Sequence, residues 1–269
     1  MPEKHVEIAD AFAPPLIGLV TLSLLGIGLT SACIPPDQRQ TVRRDARTVA
    51  PVRGLIGRSV QGRPIEYHAF GCGRDVVLIM ATIHGDEDAG TPLTRHLIDH
   101  LEGQPDLVDG RRIIIITDMN PDGRHHQTRY NARGVDLNRN FPATNFNEQG
   151  HHGPRPLSEP ESIALHALID RESPRRIVSI HQPLNYGSEC IDYDGPAESL
   201  AQAMAEHTDI PVRRIGSRPG SLGSYAGETL GIPIITLELP KDAKGVAGRE
   251  LWNQYGRMML AAISYPEKL

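Results

Sequence analysis

His84 and Glu87 stand three residues apart at the end of an apolar run, in the stretch Val77–Glu87, VLIMATIHGDE. Imidazole and carboxylate are ligands suited to zinc, and two ligands close in sequence usually wait for a third from far along the chain. His181 follows a second apolar run, Ile177–Ile180, and Glu238 lies within a third, Ile232–Leu239 (IPIITLEL). An isolated HxxE reads better as a solvated turn, and a lone histidine can be a core residue with a satisfied hydrogen bond. Occurring together, these residues favour a different reading. Three protein ligands with water in the fourth position is the catalytic zinc arrangement, whereas structural zinc sites are closed. His84, Glu87 and His181 are therefore expected to hold one Zn2+, which lowers the pKa of a bound water to about 7. That water still needs a proton acceptor as it attacks. A carboxylate within an apolar strand is costly unless it has a partner or a task, so Glu238 is the expected base.

A second stretch, Arg129–Pro142 (RYNARGVDLNRNFP), sets Arg129, Arg133 and Arg139 among Asn131, Asn138 and Asn140. Clustered like charges are usually a solvated face. Here Asn138-Arg139-Asn140 is flanked by Leu137 and Phe141, which predicts a held segment. A guanidinium grips a carboxylate bidentately, and a second one aimed at a developing oxyanion would stabilise it.

Positioning these groups requires strands that end together. Val76–Ala81, Ile113–Asp118 (IIIITD), Ile177–Ile180 and Ile232–Leu239 read as buried strands, and unbroken apolar runs fit a sheet covered on both faces. Leu55–Phe70 reads as a strand pair around Gln61-Gly62-Arg63. Helical spacing marks Ala89–Leu101, Glu198–Thr208 and Gly248–Ser264, and Ser158 with Glu161 suggests a capping box opening a helix to Ile169. Strands alternating with helices predict a three-layer α/β/α domain with a mixed, mostly parallel sheet. Ligands in such sheets bind at the carboxyl ends of the strands. Asn120-Pro121-Asp122-Gly123, which follows IIIITD, is expected to converge there too.

The 269 residues suffice for one sizeable domain, and 39% hydrophobic with 23% charged residues describe a globular chain. A net charge of −5 and only 4% aromatics argue against nucleic acid as a partner. Leu16–Cys33 runs without a charge. Residues 1–33 are read as a signal, lipoprotein-type or membrane-anchor segment, 34–54 as a Pro- and Arg-rich linker, and 55–269 as the catalytic domain. Ser31 and Ala32 before Cys33 suit lipoprotein processing, which would place the protein in the cell envelope. The arginines after the apolar run, Arg39, Arg43, Arg44 and Arg47, argue for the cytoplasmic alternative. Cys72 and Cys190 are candidates for a disulfide in an oxidising compartment.

Taken in order, HxxE, NPDG, GVDLNRNFP, the strand-end His181 and TLELP resemble the zinc carboxypeptidase family from about Val76 to Pro240. NARGVDLNRNFP, YDGPAE at Tyr193–Glu198 and the Pro219–Pro240 segment resemble its murein peptide amidase A group. The resemblance implies His84, Glu87 and His181 as zinc ligands and Glu238 as general base. It implies that Arg139 with Asn138 binds a substrate carboxylate and that Arg129 polarises the scissile carbonyl, with Arg124 and Arg133 as neighbours open to confusion with it. Tyr225 is the candidate for a loop tyrosine over the substrate. The implied substrate is a murein peptide, cut between γ-D-glutamate and diaminopimelate. Alternatives are a carboxypeptidase acting on α-linked peptides, an aspartoacylase-type deacylase, and a non-catalytic binding protein on the same scaffold.

Overall fold

A computed structural model of the chain describes residues 50–182 and 189–267. The segment read as a signal or anchor, and most of the linker, lie outside the described residues. Among the described residues no helix is long and apolar enough to cross a membrane.

Eight strands form one mixed sheet. They are β1 (Val52–Arg58), β2 (Pro64–Phe70), β3 (Asp75–Ala81), β4 (Arg111–Ile116), β5 (Arg176–His181), β6 (Cys190–Asp194), β7 (Val212–Arg213) and β8 (Ile234–Glu238). Their order across the sheet is β1-β2-β4-β3-β5-β8-β6-β7. The centre, β4-β3-β5-β8, is parallel, while β2 pairs antiparallel to β4 and β6 antiparallel to β8. The hairpin expected around Gln61-Gly62-Arg63 is β1–β2; it starts at Val52, so residues 52–54 belong to the sheet and not to the linker.

Successive residues of a strand face opposite sides, and the two faces of β3 enter different cores. Val77, Ile79 and Ala81 pack with Leu93 and Leu97 of α1 (Gly90–Glu102) and with Tyr255, Met258 and Met259 of α6 (Gly248–Ser264). Val76, Leu78 and Met80 pack with Leu165, Leu168 and Ile169 of α4 (Pro160–Glu172). The unbroken apolar runs thus serve two buried faces, and the result is the three-layer arrangement. Truncating one of the leucine, isoleucine or methionine side chains among these to alanine costs about 2–5 kcal/mol.

Four smaller points differ from the sequence reading. Ser158 does not cap α4: its hydroxyl bonds the Glu159 carboxylate at 2.9 Å, while Glu161 accepts from Val60 N at 3.1 Å. The expected helix 198–208 is shorter, α5 (Glu198–Ala205). Two short helices, α2 (Pro105–Val108) and α3 (Pro121–His126), and strands β6 and β7 were not expected. Cys190 is buried in β6 and Cys72 is exposed, with no bond between them.

Candidate metal centre

The parallel register sets His181 at the end of β5 beside Glu238 at the end of β8. His84 and Glu87 come from the loop after β3, the next strand over. That loop is aimed by a constrained backbone. Thr82 has φ 60°, a left-handed conformation that β-branched residues rarely adopt. It is held from two sides, by Asn120 N on its carbonyl (2.9 Å) and by the Thr91 hydroxyl on its own (2.9 Å). Gly85 then passes so close to α3 that a Cβ there would lie 2.0 Å from the carbonyl carbon of Gly123. Only glycine permits that approach.

The three expected ligands meet. One donor atom from each of His84, Glu87 and His181 lies within 4.8 Å of the others, and all three residues are buried. Glu87 Oε2 is 2.9 Å from His84 Nδ1 and 3.0 Å from His181 Nδ1. Gln182 N donates to the same oxygen at 3.1 Å. His84 Nδ1, although in ion-pair range of that oxygen, is buried and completes no hydrogen bond. An orphaned imidazole nitrogen, beside a carboxylate and a second imidazole, is the donor set a zinc ion uses.

Behind the ligands, each imidazole is oriented through its other nitrogen. His84 Nε2 is 3.0 Å from Asp136 Oδ1, and His181 Nε2 is 3.0 Å from Ser179 Oγ. Asp136 also accepts from Asn138 N (2.9 Å) and Arg129 Nε (3.0 Å). One buried carboxylate therefore fixes a ligand, an arginine and the following loop. Sequence reasoning missed it, although it sits inside GVDLNRNFP as an acid among three arginines. Burial works against ionisation of Asp136, but His84 and Arg129 outweigh it and hold its carboxyl well below the usual range. Burial likewise opposes the charged form of His84, yet Glu87 and Asp136 raise its pKa to about 9. Glu238 is raised chiefly by burial, with His181 opposing and Glu87 adding. A carboxylate so raised is a better proton acceptor near neutrality.

These groups open on a cavity of about 900 Å3 lined by His84, Glu87, Arg129, Arg139, His181 and Glu238 among others. Arg129 donates to Glu87 Oε1 at 2.8 Å. The two neighbouring arginines are occupied elsewhere, Arg124 with Asp118 (3.2 Å) and Arg133 near Glu159 (3.6 Å), and neither lines the cavity. Asn138 lines it, with Oδ1 taken by Leu222 N at 2.8 Å, so its amide donors remain for another partner. Arg139 also lines the cavity and has no ion-pair partner among the described residues.

Two expectations need correction. Tyr225 does not line the cavity: it is 3% exposed, stacked between Phe141 and His166 and hydrogen-bonded to Asp170. It lies in a π-helical segment, Gly223–Thr229, that faces the α4 core. Tyr225→Phe is accordingly expected to lower stability by about 1 kcal/mol through the lost hydrogen bond and to leave KM unchanged. Thermal denaturation and steady-state kinetics check both, and a raised KM would return Tyr225 to the site. Asp122 also turns away, accepting from Ser59 Oγ and Gln61 N at 2.8 Å each. Asn120 caps α3 through Gly123 N at 2.9 Å, and its amide reaches Ile83 O (3.3 Å) and Arg129 O (3.4 Å), so NPDG supports the site without entering it.

The ligand triad, the buried carboxylate beside it and the sheet that carries them define a metal-dependent hydrolase. The sequence model of the zinc carboxypeptidase family matches residues 51–245, and the chain belongs to that family of zinc-dependent peptidases. Over 203 residues the chain is 36% identical to murein peptide amidase A of Escherichia coli K12, spanning 68% of this chain and 79% of that one. The murein peptide amidase A of Vibrio campbellii is 33% identical over 204 residues, 68% of this chain and 77% of the relative. Among solved structures, murein-tripeptide amidase MpaA from Escherichia coli O157 superposes with a TM-score of 0.67 at 30% identity, covering 84% of this chain and 98% of that chain. Carboxypeptidase A from Helicoverpa armigera shares the fold, with a TM-score of 0.64 at 22% identity over 81% of this chain and 69% of that one.

Proposed function

We propose that this peptidase hydrolyses the amide joining γ-D-glutamate to diaminopimelate in murein peptides. One observation carries the reading beyond the names of the relatives. The cavity is lined by cationic and anionic side chains together, and no Phe, Tyr or Trp lines it among the described residues. That lining, in which Ile215 is the one large aliphatic side chain among the described residues, suits a leaving residue with several ionic groups.

In this reading His84, Glu87 and His181 hold a zinc ion, which when bound supplies the Lewis acidity that makes water nucleophilic near neutral pH. Glu238 takes the proton from the attacking water and returns it to the leaving amine nitrogen. Arg129, at the cavity wall, stabilises the oxyanion that develops on the scissile carbonyl. Arg139 and the Asn138 amide hold the free carboxylate of the leaving residue. Arg139→Ala is expected to raise KM for a substrate with a free carboxylate by about 10- to 100-fold, the worth of a charge-assisted hydrogen bond, with kcat changing far less. Initial-rate kinetics measure both; an unchanged KM contradicts the role.

The test of the whole reading is a substrate panel on the zinc-loaded protein: L-alanyl-γ-D-glutamyl-diaminopimelate, α-linked peptides with varied C-termini, and N-acetylaspartate. Preference for the γ-linked tripeptide supports the proposal. Faster turnover of an α-linked peptide or of N-acetylaspartate replaces it with the carboxypeptidase or the deacylase alternative. We further read residues 1–33 as directing the enzyme to the cell envelope; mass spectrometry of the mature N-terminus decides this, and an intact Met1 on a cytosolic protein rejects it.

A further inference from the structure

The cavity wall is built from two groupings that are tied together separately. Asn138 and Arg139 belong to the first: Asn138 Oδ1 accepts from Leu222 N at 2.8 Å and Phe141 N donates to Gly220 O at 3.0 Å, which joins that loop to residues 217–222. The second follows Glu238. Gln182 Nε2 donates to Pro240 O at 3.1 Å, and Lys244 Nζ donates to Asp86 O at 2.9 Å and to Gln127 Oε1 at 2.8 Å. Asp86, Gln182, Lys241 and Lys244 all line the cavity. We propose that Lys241 binds the free α-carboxylate of the γ-linked glutamyl residue, making the enzyme prefer murein peptides in which that carboxylate is not amidated. The proposal rests on the amidase reading and concerns the acyl side of the substrate, opposite the leaving residue.

The chemistry of the substrate sets the demand. A γ-linkage uses the side-chain carboxyl of glutamate in the scissile amide, so the α-carboxylate stays free and ionised, a glutamyl side chain away from the reacting carbonyl. The glutamyl and leaving residues lie on opposite sides of that amide. With the leaving carboxylate on Arg139, in the first grouping, the glutamyl residue extends toward the second. The fold supplies a cation there and braces its backbone. Lys241 opens a single helical turn, Lys241–Ala243, whose Ala243 is buried in the core shared with α1 and α6. Gln182 holds the residue before that turn, and the Lys244 side chain fastens the residue after it. The two lysines differ in what they have left to offer. The Lys244 ammonium is committed to the loop that carries Glu87, with Asp88 Oδ1 also at 3.8 Å. Lys241 is exposed at the wall and forms no ion pair among the described residues. Asp86, the acid of this grouping, lies close enough to Arg129 to act on its charge. An unpaired ammonium on a braced turn suits a ligand carboxylate, as a point charge that needs no bidentate geometry.

The experiment compares L-alanyl-γ-D-glutamyl-diaminopimelate with the same tripeptide carrying an amide in place of the glutamyl α-carboxylate. Scissile bond and leaving residue are identical in the two. Initial rates are measured on the zinc-loaded full chain, wild type, Lys241→Met and Lys241→Arg. Wild type is expected to show a KM about 5- to 10-fold lower for the acid, between the worth of a solvated ion pair and that of a charge-assisted hydrogen bond, with kcat alike for both. Lys241→Met is expected to abolish that preference by raising KM for the acid alone, and Lys241→Arg to restore most of it. Added salt shrinks the wild-type preference. Equal KM values in wild type, or a preference that Lys241→Met retains, overturn the proposal. So does a loss that falls equally on both peptides, which is what a structural role gives. Affinities of the two tripeptides for zinc-loaded Glu238→Gln protein, with and without Lys241→Met, separate the proposal from the reading it rests on. A preference for the acid that Lys241→Met abolishes, with neither peptide cleaved by wild type, keeps the carboxylate site and rejects the amidase reading. Cleavage of both peptides without preference keeps the amidase reading and rejects the site, and binding of neither rejects both.

Discussion

Glu238→Gln is expected to bind zinc and substrate as the wild type does while kcat falls by roughly 10²- to 10⁴-fold, the usual contribution of a positioned general base. The substitution keeps the shape of the side chain and removes its ability to accept a proton. Its neighbours bear the consequence lightly. Glu238 sits in register with His181 and Cys190, is 6% exposed, and has its pKa raised by burial, so a neutral amide suits that surrounding at least as well as a carboxylate. The variant is therefore expected to be as stable as wild type or slightly more so. That combination, a large loss in kcat with unchanged metal content and no loss of stability, distinguishes a chemical role from a structural one. Metal analysis, thermal denaturation and single-turnover kinetics supply the three readings. Near-normal turnover removes Glu238 as the base, and the proton must then leave by another route.

The parts of this architecture visible in the sequence are those encoded locally. Runs such as Ile113–Ile116 announce strands because both of their faces are buried, and His84 and Glu87 announce a site because they are three residues apart. What escaped notice depends on contacts made far along the chain. β6 (CIDYD) carries no apolar run, because its cavity face holds Asp192 and Asp194 while only Ile191 and Tyr193 turn to the core. Asp136 reads as one more charge in a basic loop until His84, 52 positions away, is found against it. Tyr225 in a run of glycine and serine reads as a mobile loop residue, yet the segment winds into a π-helix that drives its ring into the core beside Phe141. Asp122 follows a strand end as a ligand would, but α3 begins at Pro121 and rotates the carboxylate toward the β1–β2 hairpin. Chemical type and strand-end position picked out His84, Glu87, His181 and Glu238, which the fold brings to one cavity. They could not separate acids that line the cavity from those that tie loops together.

Glu87 lies between the two expected histidine ligands, its Oε2 2.9 Å from the His84 imidazole and 3.0 Å from that of His181. The fold rests on the two apolar cores of the sheet and should survive removal of the ion, while adding zinc should stabilise it further by mass action. At a free concentration one hundred times Kd that gain is about 2.7 kcal/mol, or roughly 5–10 °C in Tm for a domain of this size. His181→Ala should abolish both the zinc-dependent rise in Tm and the hydrolytic activity, since Glu87 and His84 alone make a poor site. Because His84 holds its proton more tightly than a free imidazole, up to about 9, zinc must displace that proton on binding. Affinity is then expected to weaken as pH falls below that value, with one proton released per ion bound. Calorimetry in buffers of different ionisation enthalpy counts the proton, and thermal denaturation with and without zinc follows the stability. A His181→Ala protein that still gains several degrees from stoichiometric zinc, or that still turns over substrate, would mean that the ion is held elsewhere and that the triad is not the metal centre.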